Sequence, residues 1–264
     1  MSFQNKVVWI TGASSGIGEA LTYAFHQHGA RLILSSRRQE ALEKVKDNCR
    51  GDTSHIHIHP LDLAKTESLN EKAKQALNIY GHIDYLFNNA GISQRSLALE
   101  TQNEVLRKVM EINFFGTVIL TKTVLSSMIE RQSGHIVVTS SVMGKFGTRL
   151  RSSYASSKHA LHGYFDCLRQ EVVNDNINVS MVCPGYIKTN VTKNMLEGDG
   201  SKHNQMGHGQ EHGMDPTVFA RKLLPKIEKK KEEIYIGGTE ILGIYLKRFV
   251  PTLFHKILRK VEVT

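Results

Sequence analysis

Seven short runs of apolar, β-branched residues recur along the chain, at residues 6–11, 31–36, 55–59, 83–88, 135–141, 177–183 and 233–237. Between them lie longer stretches in which apolar side chains return every three to four residues, among them 16–28, 39–48, 66–80, 103–131 and 152–174. Such short runs read as strands and the longer periodic stretches as helices. Alternation of the two makes neighbouring strands parallel, because a helix returns the chain to the starting edge by a right-handed crossover. The expected architecture is α/β: a doubly wound, seven-stranded parallel sheet flanked by helices. No linker composition or internal repeat interrupts it, so residues 1–264 are expected to form a single domain.

One connection is too long for this pattern. Residues 191–215 hold Gly198, Gly200, Gly207, Gly209 and Gly213 among polar residues and His203, His208 and His212. Loops of this length in compact domains are usually functional or disordered. This one leaves the carboxyl end of the sixth strand, where ligands of such sheets sit, so a substrate lid is expected over residues 186–215.

Composition excludes several classes. With 40% apolar and 22% charged residues the chain can bury a core without disulfides or a structural metal. Cys49, Cys167 and Cys183 are odd in number and widely spaced, which suits reduced thiols and a cytoplasmic location. No secretion signal is legible, and no 18-residue stretch is free of charge, so a transmembrane helix is not expected. The net charge of +9 is uneven: after Ala220 stand eleven Lys/Arg against five Asp/Glu. No zinc-finger, RNP or recognition-helix pattern accompanies it, so a nucleic-acid partner is not expected.

Residues with chemical potential gather at strand ends. The first strand runs into TGASSGIG, which places Gly12, Gly16 and Gly18 in the turn to the first helix. Backbone N–H groups in such a turn can approach a pyrophosphate, and the positive helix end faces the anion. A tight structural turn explains the same glycines about as well until the rest of the chain is read. Tyr154 and Lys158, four apart at a helix start, project from one face. A cation beside a phenol lowers its pKa from about 10, so the pair suits general acid–base work. Ser141 ends the fifth strand and can hydrogen-bond a substrate oxygen; its neighbour Ser140 competes for that role.

The order and spacing of TGASSGIG, NNAG (88–91), Asn113, Ser141, YASSK (154–158) and PG (184–185) resemble the short-chain dehydrogenase/reductase family of the classical type, over the whole chain. The ending EILGIYLKRFVPTLF is similar to a membrane-associated subgroup, the family-member-7-like dehydrogenase/reductases. This resemblance implies a Rossmann-type fold and hydride exchange between nicotinamide and a lipophilic carbonyl/alcohol substrate. It selects Ser141 over Ser140, and makes Asn113 the residue that bends its helix and holds a water linked to the lysine. It also implies that Gly12, Ser14, Ser15, Gly16, Ile17, Gly18, Asp62, Asn89, Ala90, Tyr154, Lys158, Pro184, Gly185, Ile187 and Thr189 contact the cofactor. A homodimer or homotetramer through the two long helices is the implied assembly. A non-catalytic NADP-binding sensor or scaffold of the same fold is the alternative, and the intact Asn113, Ser141, Tyr154 and Lys158 set stands against it.

Cofactor choice is read after the second strand, in LILSSRRQE. An NAD enzyme would place an acid there for the ribose 2′-hydroxyl; Ser36 stands there instead, followed by Arg37 and Arg38. Guanidinium groups suit a 2′-phosphate, so NADP(H) is the expected cofactor. His55, His57 and His59 share one strand face but lack further ligands at metal spacing, and no metal is expected. The loop histidines are expected to be solvated rather than to hold an adventitious metal, while Arg149 and Arg151 suggest either an anionic substrate group or solvated cations. Finally, residues 241–264 are read as a basic amphipathic segment, either for peripheral membrane contact or for packing on the protein's own body or a subunit interface. Leu246, Phe249, Val250, Leu253, Phe254, Ile257, Leu258 and Val261 form its stripe, opposite Lys247, Arg248, Lys256, Arg259 and Lys260, with Pro251 starting a helix.

Overall fold

The computed structural model describes residues 3–205 and 207–260. All seven expected strands form: β1 (Val7–Thr11), β2 (Arg31–Ser35), β3 (Ile56–Ile58), β4 (Tyr85–Asn88), β5 (Gly134–Thr139), β6 (Ile177–Pro184) and β7 (Glu233–Ile236). They make one sheet in the order β3-β2-β1-β4-β5-β6-β7, with every pair parallel. The strand order reverses between β1 and β4, which opens a crevice at their carboxyl ends.

Alternation along the strands builds the core. In β1, Val8 and Ile10 face one layer, where α1 (Gly16–Gln27), α2 (Gln39–Asp47) and α8 (Pro216–Glu228) contribute Leu21, Phe25, Leu42 and Phe219. Val7 and Trp9 face the other, against Leu69, Ala73 and Ala76 of α3 (Thr66–Tyr80), Leu120 and Val124 of α5 (Gly116–Glu130), and Phe165 of α6 (Ser152–Glu171). Each such aliphatic or phenyl side chain, fully buried, contributes about 1.5–3 kcal/mol over an exposed one. Gly81, in the left-handed conformation at φ 79°, closes α3.

The stretch 103–131, expected as one helix, is three pieces: α4 (Asn103–Met110), a π-turn over Glu111–Phe115, and α5. The extra residue in the π-turn lets Asn113 turn out of the helical register toward the loop after β4. Taken together, Asn103–Glu130 is long and apolar enough to cross a membrane, but its inward side chains pack on the sheet. α6 ends at Glu171, before a 3₁₀ turn at Val173–Asp175.

The long segment after β6 is not an open loop. Leu196 bridges Gln94 and Lys202, Ile187 bridges Met214, and Met195 is buried. A four-residue helix, α7 (His208–Glu211), follows, and Asp215 then caps α8 by accepting from Thr217 N–H at 2.8 Å, with Pro216 in the first turn.

At the C-terminus stand two helices, α9 (Leu242–Phe249) and α10 (Pro251–Leu258), and Pro251 opens the second as expected. The apolar stripe is divided between them. Ile244 and Phe254 are buried, packing with Val142 and Phe146 behind the β5–α6 connection, and Leu246 and Leu258 join them. Leu242, Tyr245, Phe249, Val250, Leu253 and Ile257 remain exposed, Phe249 to 75%. Val261 lies outside the described residues.

Candidate active site

The carboxyl ends of β1, β4 and β5 meet the first turns of α6. Tyr154 stands half-buried there, and Lys158 lies one turn further, 4% exposed, its Nζ 5.7 Å from the Tyr154 ring centroid. Lys158 Nζ donates to the Thr139 carbonyl at 2.9 Å. The Ser141 hydroxyl accepts from Met143 N–H at 3.1 Å, and its proton is directed toward the Tyr154 oxygen, whose pKa it lowers. Ser140 instead points into the interior, toward the Lys158 carbonyl at 3.4 Å.

Asn113 ties the loop after β4 to α6. Its Oδ1 accepts from Ile92 N–H at 2.8 Å, and its Nδ2 donates to the Ile92 carbonyl and the Ser157 hydroxyl, both at 2.9 Å. Ser157 in turn donates to the Tyr154 carbonyl at 2.7 Å. A Cβ on Gly91 would lie 3.2 Å from Asn113 Oδ1 and 3.4 Å from Lys158 Nζ, so amide and ammonium converge on one spot.

Burial pushes the Lys158 ammonium down to about 8. Burial also raises the Tyr154 phenol above its ordinary value, while the Ser141 hydroxyl and the Arg151 charge pull it back. In the free protein desolvation outweighs the pull of the neighbouring donors, Arg151 among them. Of the two arginines in that loop, Arg149 is exposed and Arg151 buried.

The turn after β1 has the shape of a phosphate cradle. Gly12 and Gly16 hold φ of 68° and 58°, and a Cβ on Gly18 would sit 2.2 Å from the Gly12 carbonyl oxygen, so side chains are excluded there. Ser14 lies in the turn, Ile17 is half-buried in the first turn of α1, and exposed Ser15 precedes the helix without capping it, which leaves its first N–H groups for an anion. Thr11, which the sequence reading passed over, knits the site together: its hydroxyl accepts from Asn89 and Ala90 N–H at 3.0 and 3.1 Å. Asn89 Nδ2 returns a bond to the Thr11 carbonyl at 3.1 Å.

Beyond β2, Arg37 and Arg38 are exposed, with no carboxylate within 4.0 Å among the described residues. Ala13 N–H donates to the Ser35 carbonyl at 3.1 Å, which sets these arginines beside the glycine turn. Asp62, half-buried after β3, accepts from Ala64 N–H at 3.1 Å. On the other side Pro184 ends β6, followed by Gly185, Tyr186 and buried Ile187. Thr189 faces Gly16, whose added Cβ would lie 2.9 Å from the threonine methyl. A cavity of 430 Å³ opens there, lined by Ser15, Gly16, Lys188, Thr189 and Asn190. Glu240 was also missed: its Oε1 accepts from Tyr186 and Gly238 N–H at 2.8 and 2.9 Å, clamping the turn after β6.

A short chain dehydrogenase family profile matches residues 6–200. A "Dehydrogenase/reductase SDR family protein 7-like" of Drosophila melanogaster is 42% identical over 260 residues, which cover 97% of this chain and 80% of that protein. The chain belongs to the short-chain dehydrogenase/reductase family. Relatives at 38–42% identity carry the names family member 7-like or 7B. A short-chain dehydrogenase from Streptomyces avermitilis superposes with a TM-score of 0.84 at 30% identity, over 99% of this chain and 100% of that one. An alcohol dehydrogenase from Thermococcus sibiricus, complexed with 5-hydroxy-NADP, does so at 0.76 and 26% identity, over 90% and 98%. The family is one of nicotinamide-dependent oxidoreductases, and nucleotide binding at the cradle after β1 is typical of its fold.

The strand histidines are engaged within the fold. His55 stacks on His26 and bonds it at 3.1 Å, His57 packs on Tyr80, and His59 bonds the Lys72 carbonyl at 2.9 Å. His203, expected to be solvated, is half-buried and bonded to Glu197.

Proposed function

We propose that this protein is an NADP(H)-dependent reductase or dehydrogenase of a lipophilic carbonyl/alcohol pair, with Tyr154 as general acid/base. The observation that carries the reading is the grouping of the Tyr154 and Ser141 hydroxyls with Lys158 and Asn113, on the same edge as the glycine cradle. The cradle residues Gly12 to Gly18, with Asp62, Asn89, Ala90, Pro184, Gly185, Ile187 and Thr189, would hold the dinucleotide. Arg37 and Arg38, exposed and free of carboxylates among the described residues, would take its 2′-phosphate. The complex of the Thermococcus relative with an NADP derivative supports that choice.

When bound, NADP(H) supplies or accepts the hydride. Tyr154, its phenol kept protonated by burial, gives its proton to the carbonyl oxygen as negative charge builds there. Ser141 donates a hydrogen bond to the same oxygen. Lys158, near 8, exchanges protons at physiological pH and can reprotonate Tyr154, with Asn113 holding the relay water as the family implies. In the alcohol-oxidising direction the same groups run in reverse.

The same reading has a cytoplasmic enzyme, a homodimer or homotetramer, whose exposed C-terminal apolar face meets an anionic membrane surface. Leu106 and Phe115 stay exposed on the helices proposed for assembly, and Phe249 and Leu253 lie among Lys247, Arg248 and Lys256. The test is NADPH oxidation, followed by absorbance, with a panel of lipophilic ketones and aldehydes. Consumption with carbonyl substrates and much less with NADH supports the reading. Cofactor binding without turnover of any carbonyl or alcohol would instead indicate a sensor.

A further inference from the structure

Arg151, like Lys158, is a buried cation at the cleft, but only part of its donor set is used. It directly precedes α6, three residues before Tyr154, and is 6% exposed. Its hydrogen bonds all leave from Nη1: to the Gln94 carbonyl at 3.0 Å, the Ser93 hydroxyl at 3.3 Å and the Met195 sulfur at 2.7 Å. None of these acceptors carries charge. Among the described residues no carboxylate lies within 4.0 Å, and the acid whose field reaches it, Glu197, is engaged by His203.

Nε and Nη2 have no hydrogen-bond partner among the described residues, and neither is among the partnerless atoms fully sealed from solvent. That pair is the side-on edge of the guanidinium, which takes both oxygens of a carboxylate in a fork. A neutral amide could strut the Gln94 and Ser93 bonds equally well. A full buried charge without a counter-ion, by contrast, is destabilising until an anion completes it.

The surroundings say which anion can reach it. Its bonds to Ser93, Gln94 and Met195 and its place at the start of α6 set Arg151 where the loop after β4, the lid and the Tyr154 helix meet, and its charge lowers the phenols of both Tyr154 and Tyr186. The lid covers it: Leu196 N–H donates to the Ser93 carbonyl at 2.9 Å, and Arg95 N–H to the Leu196 carbonyl at 2.8 Å. Arg95, half-buried beside it, adds to the positive potential.

We propose that Arg151 is the anion subsite of the substrate cleft, and that the substrate is a carbonyl or alcohol compound bearing a carboxylate. This rests on Tyr154 being the reaction centre. Arg151 stands at the N-cap of the helix whose first turn carries Tyr154, so the substrate class is a compact molecule that bears both groups.

The test compares 3- and 4-formylbenzoate with their methyl esters, which keep the aldehyde and remove the charge, in wild type, Arg151→Gln and Arg151→Lys with NADPH. Wild type is expected to favour the acid in kcat/KM by at least about tenfold, through KM. Arg151→Gln should bring acid and ester within about twofold of each other, whatever common change both share through Tyr154, and Arg151→Lys should retain part of the preference. Calorimetric titration of benzoate into the NADP⁺-loaded protein reads the subsite without turnover, and Arg151→Gln should weaken it by about tenfold or more. A wild-type acid-to-ester ratio at or below one overturns the proposal even if Arg151→Gln fails to fold. So does an equal loss on acid and ester in Arg151→Gln, the mark of a strut. Arg151-dependent benzoate binding with no aldehyde reduction would keep the subsite and overturn the carbonyl-reductase reading; turnover indifferent to charge would do the reverse.

Discussion

Two cationic regions border the cleft, and they are built in opposite ways. Around Tyr154 the cations are buried: Lys158 is bonded to a carbonyl, and Arg151 to neutral acceptors. After β2, Arg37 and Arg38 stand in solvent. Burial fixes the geometry of the first region and shifts its pKa values, at a cost in stability. Exposure leaves the second region's guanidinium groups free to meet a phosphate, whose charge-assisted bonds they would then form. Substitutions should therefore change chemistry and folding in the first region, and cofactor preference alone in the second.

The largest expected effect is on turnover. Tyr154→Phe should lower kcat by at least about 10², with NADPH affinity, measured by fluorescence titration, within a few-fold of wild type. Comparable losses in affinity and turnover would erase the division between the regions.

Next comes a gain. The Lys158 pKa is depressed from 10.5 to about 8, so below pH 8 the folded protein holds a charge that burial disfavours. The unfolded chain binds the proton more tightly between about pH 8 and 10.5, and that penalty fades as pH rises through this window. Lys158→Met should thus be more stable than wild type at pH 7, by on the order of 2–3 kcal/mol, and inactive. Thermal unfolding at pH 7 and pH 10 checks it: an advantage that grows with pH would contradict the assignment.

In the exposed region, Arg37→Ala should weaken NADPH relative to NADH by roughly 1.5–3 kcal/mol, without moving the unfolding temperature. Equal weakening of both cofactors would show that Arg37 does not read the phosphate. Smallest is the membrane face, where Lys256→Ala should reduce co-sedimentation with phosphatidylserine vesicles by about 1 kcal/mol. Wild-type protein that stays in the supernatant at low salt would remove that contact from the account.

The same contrast explains what could be read from the sequence. The strands were legible because each carries its own apolar run, and Gly12, Ser141, Tyr154 and Lys158 because they sit at strand or helix ends beside short-range patterns. What escaped depends on distant packing. The π-turn at Glu111–Phe115 continues an apolar helix, so the period hides its extra residue. Glu240 reaches the turn at Tyr186 across 54 residues, with no local signature. Arg149 and Arg151 look alike in sequence, and only the fold buries one of them. The C-terminal stripe is continuous by period, yet Phe254 packs under the β5–α6 connection while Leu253 faces out.

The central claim, hydride exchange with a carbonyl under proton control by Tyr154, is tested most directly by isotope transfer. NADPH deuterated at the transferable nicotinamide position is incubated with a lipophilic ketone and wild-type or Tyr154→Phe protein, and the alcohol is analysed by mass spectrometry. The account predicts one deuterium on the carbinol carbon with wild type, formed at least about 10² times faster than with Tyr154→Phe. Unlabelled alcohol, or labelled alcohol formed equally fast by both proteins, would contradict it.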